Sequence, residues 1–187
     1  MWKDYKCSGK RVNKKLKSYV VLDTETTGLE PKEDEVIQLS MLKIENGEIK
    51  NSFNKFYKSH KNIPDRVSKL NGITDEMVKD KPYLEDSLEE IEAFIGNSSL
   101  IGHNIGFDLN FLEKYFLNKL NKKILNSWDD TMKLSKENFY SPKYSLDFLS
   151  SRFNHRYFPS HNSLDDCYAT YELYERISEK FTIYEDK

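Results

Sequence analysis

Two carboxylates one residue apart close the apolar run Val20-Val21-Leu22, where the sequence reads Asp23-Thr24-Glu25. Side chains alternate faces along a strand, so Asp23 and Glu25 point the same way. Like charges held a few ångströms apart repel, and partial burial makes ionising both costly. Water, a shared proton or a hard cation removes that cost, and an isolated D-x-E is most often a solvated strand end. Three further residues bear on the choice. Asp108 opens a helix in IGHNIGFDLNFL; alone, it reads as a first-turn acid favoured by the helix dipole. Asp166, in SHNSLDDCYATYELYERI, lies in or near the first turn of the last helix, beside an apolar stripe of Leu164, Cys167, Tyr171 and Tyr174, while Asp165 is the solvated neighbour. His161 precedes that helix and alone reads as a capping or surface histidine.

Together, four carboxylates and a histidine at strand ends suit one chemistry. Hard divalent cations prefer oxygen ligands and keep several waters. Two of them, about 3.5–4 Å apart, can clamp the attacking and leaving oxygens of an in-line phosphoryl displacement. The cysteine and clustered histidine of a zinc site are missing from the set. A histidine that titrates near neutral pH can take a proton from the attacking water.

The elements that must position these groups follow from periodicity. Residues 18–23 read as the first strand, and 35–59 as two long strands about an Asn46-Gly47 turn, a strong hairpin signal. Short helical pieces fill 66–78, broken at Asn71-Gly72. Leu84, Leu88, Ile91 and Ile95 repeat with a helical period. A short strand at 99–101 turns through Gly102-His103-Asn104 into a helix carrying Phe107, Leu109, Leu112 and Phe116. A last strand is expected at 124–131, and helices near 145–152 and 163–178. A hairpin followed by alternating helices and strands is an α/β or mixed-sheet layer fold.

The order DTETTG, GHNIGFD and H-x-x-x-x-D resembles the DEDDh branch of the DnaQ-like 3′–5′ exonucleases, and the wording DTETTGLEP resembles the proofreading epsilon-type members. The likeness runs from about residue 18 to 178 and takes in LNGITDEMV, 70–78, and YSLDFLSSRFN, 144–154. It implies a ribonuclease-H-like fold, a mixed five-stranded sheet flanked by helices. It implies two divalent cations, Mg²⁺ or Mn²⁺, on Asp23, Glu25, Asp108 and Asp166, with His161 as general base. Thr24 and Leu29 match positions that contact the terminal nucleotide and wedge against its base, and Asn104 and Phe107 match positions lining the substrate groove. Asn71 stands where many relatives have a histidine that touches sugar or phosphate. Gln38 and Ser40 replace the usual Glu and Gly of the second strand, changes expected to affect packing more than chemistry. DNA with a single-stranded or frayed 3′ end is the expected substrate. An RNA-directed exonuclease of the same branch, and a catalytically inactive nucleic-acid-binding module, are the alternatives, and a DNA polymerase subunit is a candidate partner.

The 187 residues suffice for one domain with a sizeable core. No apolar run approaches membrane-spanning length and the N-terminus lacks a signal-peptide stretch. Cys7 and Cys167 form no disulfide framework, so a reducing cytoplasm is expected. Charge is segregated. Residues 1–17 carry seven basic side chains against Asp4, a surplus of +6 that leaves −8 on the remainder of a chain with net charge −2. The organisation expected is therefore a basic arm, 1–17, an exonuclease domain, 18–180, and a short tail, 181–187. The arm's charge suggests an anionic partner such as nucleic acid, against the plainer reading of a solvated terminus. QLSML, 38–42, looks like a peptide that docks on sliding clamps, but its apolar neighbours Ile37 and Ile44 place it in a strand.

Overall fold

A computed structural model describes residues 8–12, 14–153 and 162–179. His161, the first seven residues of the arm and the tail from 181 lie outside the described residues.

The first strand runs further than its apolar residues suggest. β1 spans Tyr19–Thr26, so Asp23 and Glu25 lie inside the strand rather than just past it. β2, Val36–Glu45, and β3, Glu48–Phe56, form the expected hairpin. Asn46 (φ 54°) and Gly47 (φ 79°) are both left-handed, as a two-residue turn matching strand twist requires. α1, Asp65–Asn71, ends at Gly72 (φ 75°), and α2, Asp75–Val78, is capped by Thr74. A 3₁₀ turn, Leu84–Ser87, leads into α3, Leu88–Ile95. β4, Leu100–Gly102, precedes α4, Gly106–Tyr115, which widens into a π turn at Phe116–Leu120. β5, Trp128–Asp130, is shorter than expected because Ile124 tucks into the core while Leu125 is exposed. It runs straight into α5, Thr131–Asn138; α6, Leu146–Phe153, and α7, Ser163–Glu179, complete the order.

The five strands form one sheet ordered β3-β2-β1-β4-β5. β2 is antiparallel to both β1 and β3, while β1, β4 and β5 run parallel. Strand alternation divides the core. Val20 and Leu22 face a cluster with Ile91, Leu109 and Leu112 of α3 and α4, whereas Tyr19 and Val21 face one with Leu134, Leu149, Leu173 and Tyr174 of α5, α6 and α7. This is the mixed, helix-flanked sheet that the motifs imply. QLSML is buried along β2 between two paired strands, which removes it as an exposed docking peptide.

The described part of the arm is not free. Arg11 bridges Trp128 in parallel, with Val12 N–H donating to Trp128 O at 2.8 Å and Trp128 N–H to Lys10 O at 3.0 Å. Arg11 Nε meets Asp129 at 2.8 Å, its two terminal nitrogens reach both oxygens of Glu137, and Lys15 lies 3.7 Å from Glu175. The arm is thus a strap along the open edge of β5, and Arg11 is committed to the protein itself. No helix among the described residues is long and apolar enough to cross a membrane.

Candidate active site

Alternation along β1 decides which helix meets which side chain. Asp23 and Glu25 continue the Tyr19–Val21 face, the face that α7 covers, and there Asp166 joins them. Carboxylate oxygens of Asp23, Glu25 and Asp166 lie within 4.8 Å of one another. Thr24 points to the opposite face, toward α4. Asp108 Oδ1 accepts hydrogen bonds there from Thr24 N–H at 3.0 Å and from Thr24 Oγ1 at 2.7 Å. Asp108 therefore stands beside the three-carboxylate group and is tied to the residue between two of its members.

The electrostatics are one-sided. Burial pushes Asp23 well above the usual carboxylate range, and Asp108, Asp166 and Glu25 push it further. Burial likewise pushes Asp108 up to about 7, against the pull of the bonds from Thr24. Burial, with Asp23, Asp108 and Asp166, raises the Cys167 thiol, which stays protonated and donates to Ser40 O at 3.3 Å.

Uncharged groups hold the acids in place. Asn71 Oδ1 accepts from Ile73 N–H at 3.0 Å, which turns its amide nitrogen toward Glu25 Oε2 at 3.1 Å. The structure thus sets Asn71 against a carboxylate at the margin of the cleft. The first amides of α7 are all accounted for, as a buried helix end requires. Leu164 N–H and Asp165 N–H donate to Asn162 Oδ1, Asp166 N–H to Asn162 O, and Ser163 N–H to Gln38 Oε1 at 3.4 Å. Ser163 Oγ also lies 2.6 Å from Ser40 Oγ. Gln38 and Ser40 pair with Glu25 and Asp23 across the β1–β2 ladder, so the replacements noted in β2 sit directly beside the acids.

A cleft of about 410 Å³ opens next to this cluster, lined by Thr24, Glu25, Leu29, Arg66, Leu70, Asn71 and Phe107 among others. Two of its apolar residues are unusually bare, Leu29 at 67% exposure and Leu70 at 58%. Leu29 rides on a firmly built loop. Asp34 accepts from Glu30 N–H at 2.8 Å, and Thr27 and Glu35 exchange backbone and hydroxyl bonds. A side chain on Gly28 would meet the Asp34 carboxylate, which would have to shift from its bond to Glu30 N–H. Phe107 lines the cleft and packs on Phe111, with ring centroids 5.0 Å apart. Asn104 (φ 64°) is exposed in the turn before α4, its N–H donating to Asp130 Oδ1 at 3.0 Å. The neighbouring His103, which carried no role in the sequence reading, is a structural anchor. Burial lowers its basicity, Nε2–H donates to Tyr144 O and Nδ1 accepts from Thr131 Oγ1, both at 2.8 Å.

The family model for exonucleases matches residues 20–174. The chain belongs to the exonuclease family. Among curated relatives, this exonuclease chain is 35% identical over 167 residues to the PolC-type DNA polymerase III of Thermotoga petrophila, and 32% identical over 174 residues to that of Clostridium perfringens. Those alignments cover 87% and 90% of this chain, which spans only 12% of either relative's length. Among solved structures, exonuclease X in complex with 5′ overhanging duplex DNA superposes with a TM-score of 0.70 at 26% identity, covering 87% of this chain and 92% of that one. Zinc-bound E. coli ExoI in complex with single-stranded DNA shares the fold, with a TM-score of 0.76 at 16% identity over 89% of this chain and 41% of that one. The DnaQ-like resemblance and the ribonuclease-H-like fold both stand.

Proposed function

We propose that this exonuclease-family chain removes nucleotides from the 3′ ends of DNA by metal-dependent phosphodiester hydrolysis. The observation that carries the reading is the meeting of Asp23, Glu25 and Asp166 within 4.8 Å, beside a cleft with a bare leucine at its rim. The donors fit hard divalent cations, Mg²⁺ or Mn²⁺. All are carboxylate oxygens, and every group shifting Asp23 is either burial or another acid, a balance that a cation reverses. Asp108, one residue removed through Thr24, is the fourth ligand in this reading.

Bound there, a pair of cations would activate a water and steady the charge that develops on the leaving oxygen. The chain's own residues do the rest. Asp23, Glu25, Asp108 and Asp166 would hold the cations, with Asn71 keeping Glu25 in place. His161 takes the proton of the attacking water, the P–O3′ bond breaks, the freed O3′ takes a proton from solvent, and a nucleoside 5′-monophosphate leaves. Thr24, Leu29, Asn104 and Phe107 hold the terminal nucleotide by shape and apolar contact, which suits an enzyme that must accept every base. DNA is favoured over RNA because the similar PolC-type proteins are DNA polymerases and the solved neighbours carry DNA.

End-labelled single-stranded DNA, duplex DNA and RNA, digested side by side with Mg²⁺, Mn²⁺ or excess EDTA, test this. Mononucleotides should appear first from the 3′ end, fastest from single-stranded DNA, and only with metal. Full turnover in EDTA or release from the 5′ end sinks the mechanism; a preference for RNA reassigns the substrate. Substrate bound but never cut in either metal would make the chain a binding module.

A further inference from the structure

The helix that brings Asp166 to the cluster is fastened to the sheet by a closed ring of uncharged hydrogen bonds. Gln38 and Ser40 of β2, Asn54 of β3 and Ser163 of α7 make it up. Ser163 N–H donates to Gln38 Oε1 at 3.4 Å, and Gln38 Nε2 donates to Asn54 Oδ1 at 3.0 Å. Ser40 Oγ donates to the same Asn54 oxygen at 3.1 Å, which leaves the 2.6 Å contact between Ser163 and Ser40 to be donated by Ser163. The two hydroxyl protons are thereby assigned, and Asn54 Oδ1 receives both branches. Gln38, Ser40 and Ser163 are wholly buried, so water cannot replace a partner lost among them, and only the Asn54 end of the ring is exposed.

Position gives the ring its significance. Ser40 and Gln38 lie opposite Asp23 and Glu25 in the β1–β2 register, so their side chains share a face. Ser163 is one helical turn before Asp166 on α7, so both project from the same side of the helix. The ring therefore spans the two elements whose separation sets the distance between the β1 carboxylates and Asp166. Cys167 Sγ, donating to Ser40 O at 3.3 Å, adds a second tie from the residue after Asp166.

We propose that Gln38, Ser40 and Ser163 are positioning residues for the metal centre: they set the depth and rotation of α7 so that Asp166 reaches the cation shared with Asp23 and Glu25. This deepens the metal-dependent reading above and rests on it. The residues touch neither metal nor substrate. They act through Asp166, as groups behind metal ligands commonly do, with effects of roughly 10–100-fold on metal affinity.

The test is Mn²⁺ binding by calorimetry on the full chain stripped with chelator, with the thermal midpoint measured alongside. Ser163→Ala and Gln38→Leu should each weaken Mn²⁺ binding about tenfold while the chain remains folded. Ser40→Ala removes the receiving hydroxyl from the strand side and should match Ser163→Ala. Thr170→Val serves as the packing control. Thr170 is buried on the same helix with no hydrogen-bond partner for its hydroxyl among the described residues, and its replacement should leave Mn²⁺ affinity unchanged. Affinities within about fivefold of the parent for both serine variants overturn the proposal and reduce the ring to packing. If the parent chain binds no Mn²⁺, or Asp23→Asn binds it equally well, the metal reading itself falls and takes this inference with it.

Discussion

Replacing Asp108 by asparagine should make the metal-free protein more stable at alkaline pH while abolishing turnover. Asp108 is 3% exposed, and its Oδ1 serves Thr24 twice; asparagine keeps that acceptor but never ionises. In the unfolded chain the carboxyl titrates near 4; in the fold, burial moves it to about 7. Below pH 4 both states hold the proton and the residue costs nothing. Between those values the unfolded chain has released its proton and the folded chain has not, so stability falls as pH rises; above about 7 the whole cost is present. The difference of about 3 pH units corresponds to about 4 kcal/mol against the folded carboxylate. Denaturant melts in EDTA at pH 4.5 and 8.5 read this out. The two proteins should agree within about 1 kcal/mol at the lower pH. At the higher, Asp108→Asn should lead by about 2–4 kcal/mol, about 5–15 °C in thermal midpoint for a domain of this size. Saturating Mn²⁺ should restore the parent and do far less for the variant. Parallel pH profiles, or an asparagine variant less stable at both pH values, would refute the idea that an uncompensated buried carboxylate is held in readiness for a cation.

Asp23→Ala and Asp166→Ala should each lower activity by orders of magnitude in a gel assay on labelled DNA, and should erase the thermal shift given by Mn²⁺. His161→Ala should lower kcat by about 10²–10⁴-fold with Mn²⁺ affinity unchanged, because the ligands remain; a variant within a few-fold of the parent would end its role as base. Leu29→Ala, at a site 67% exposed, should leave the melting temperature within about 1 °C and raise KM for all four terminal bases alike, by about 5–150-fold if the contact is worth about 1–3 kcal/mol. Arg11→Ala should behave oppositely, since it strips the partner from the buried Asp129: stability should drop by about 1–3 kcal/mol while kcat on a dinucleotide and the salt dependence of DNA binding stay the same.

The acids were legible because their chemistry is local: D-x-E within one strand, an acid opening a helix, and H-x-x-x-x-D before another. The hairpin announced itself through Asn46-Gly47, and α3 through its apolar spacing. α5 has no apolar period to announce it, because TMKLSKEN offers only Leu134 as a buried apolar side chain; it is held instead by the Asp130 cap and by Ser135 Oγ bonded back to Thr131 O. The last strand is shorter than its apolar residues suggest, since Ile124 and Leu125 precede it and only Ile124 is buried. What could not be read were pairings across the chain. Ser163 meets Ser40 123 residues away, and Arg11 meets Asp129 118 residues away. A sequence shows a basic arm there, and only the fold reveals that Arg11 is already spoken for by Asp129 and Glu137.

The strap along β5 also governs how the domain behaves in company. An uncovered parallel edge offers a row of unpaired amides and carbonyls to any other chain, and folded proteins guard such rows against sheet-to-sheet association. At the opposite edge, β3 carries polar side chains on both of its faces, with Lys50, Asn51 and Asn54 exposed and Lys55 half-buried. β5 has only three residues, the first a tryptophan, and its guard is Lys10 to Val12, with the Trp128 indole donating to Gly9 O at 3.0 Å. A version trimmed to start at Tyr19 would keep every proposed catalytic residue yet bare that edge. Its fault would be self-association that grows with concentration, visible in sedimentation well before any defect in chemistry. The strap's contacts reach back to Ser8, whose hydroxyl donates to Glu113, eleven residues ahead of the first strand of the sheet.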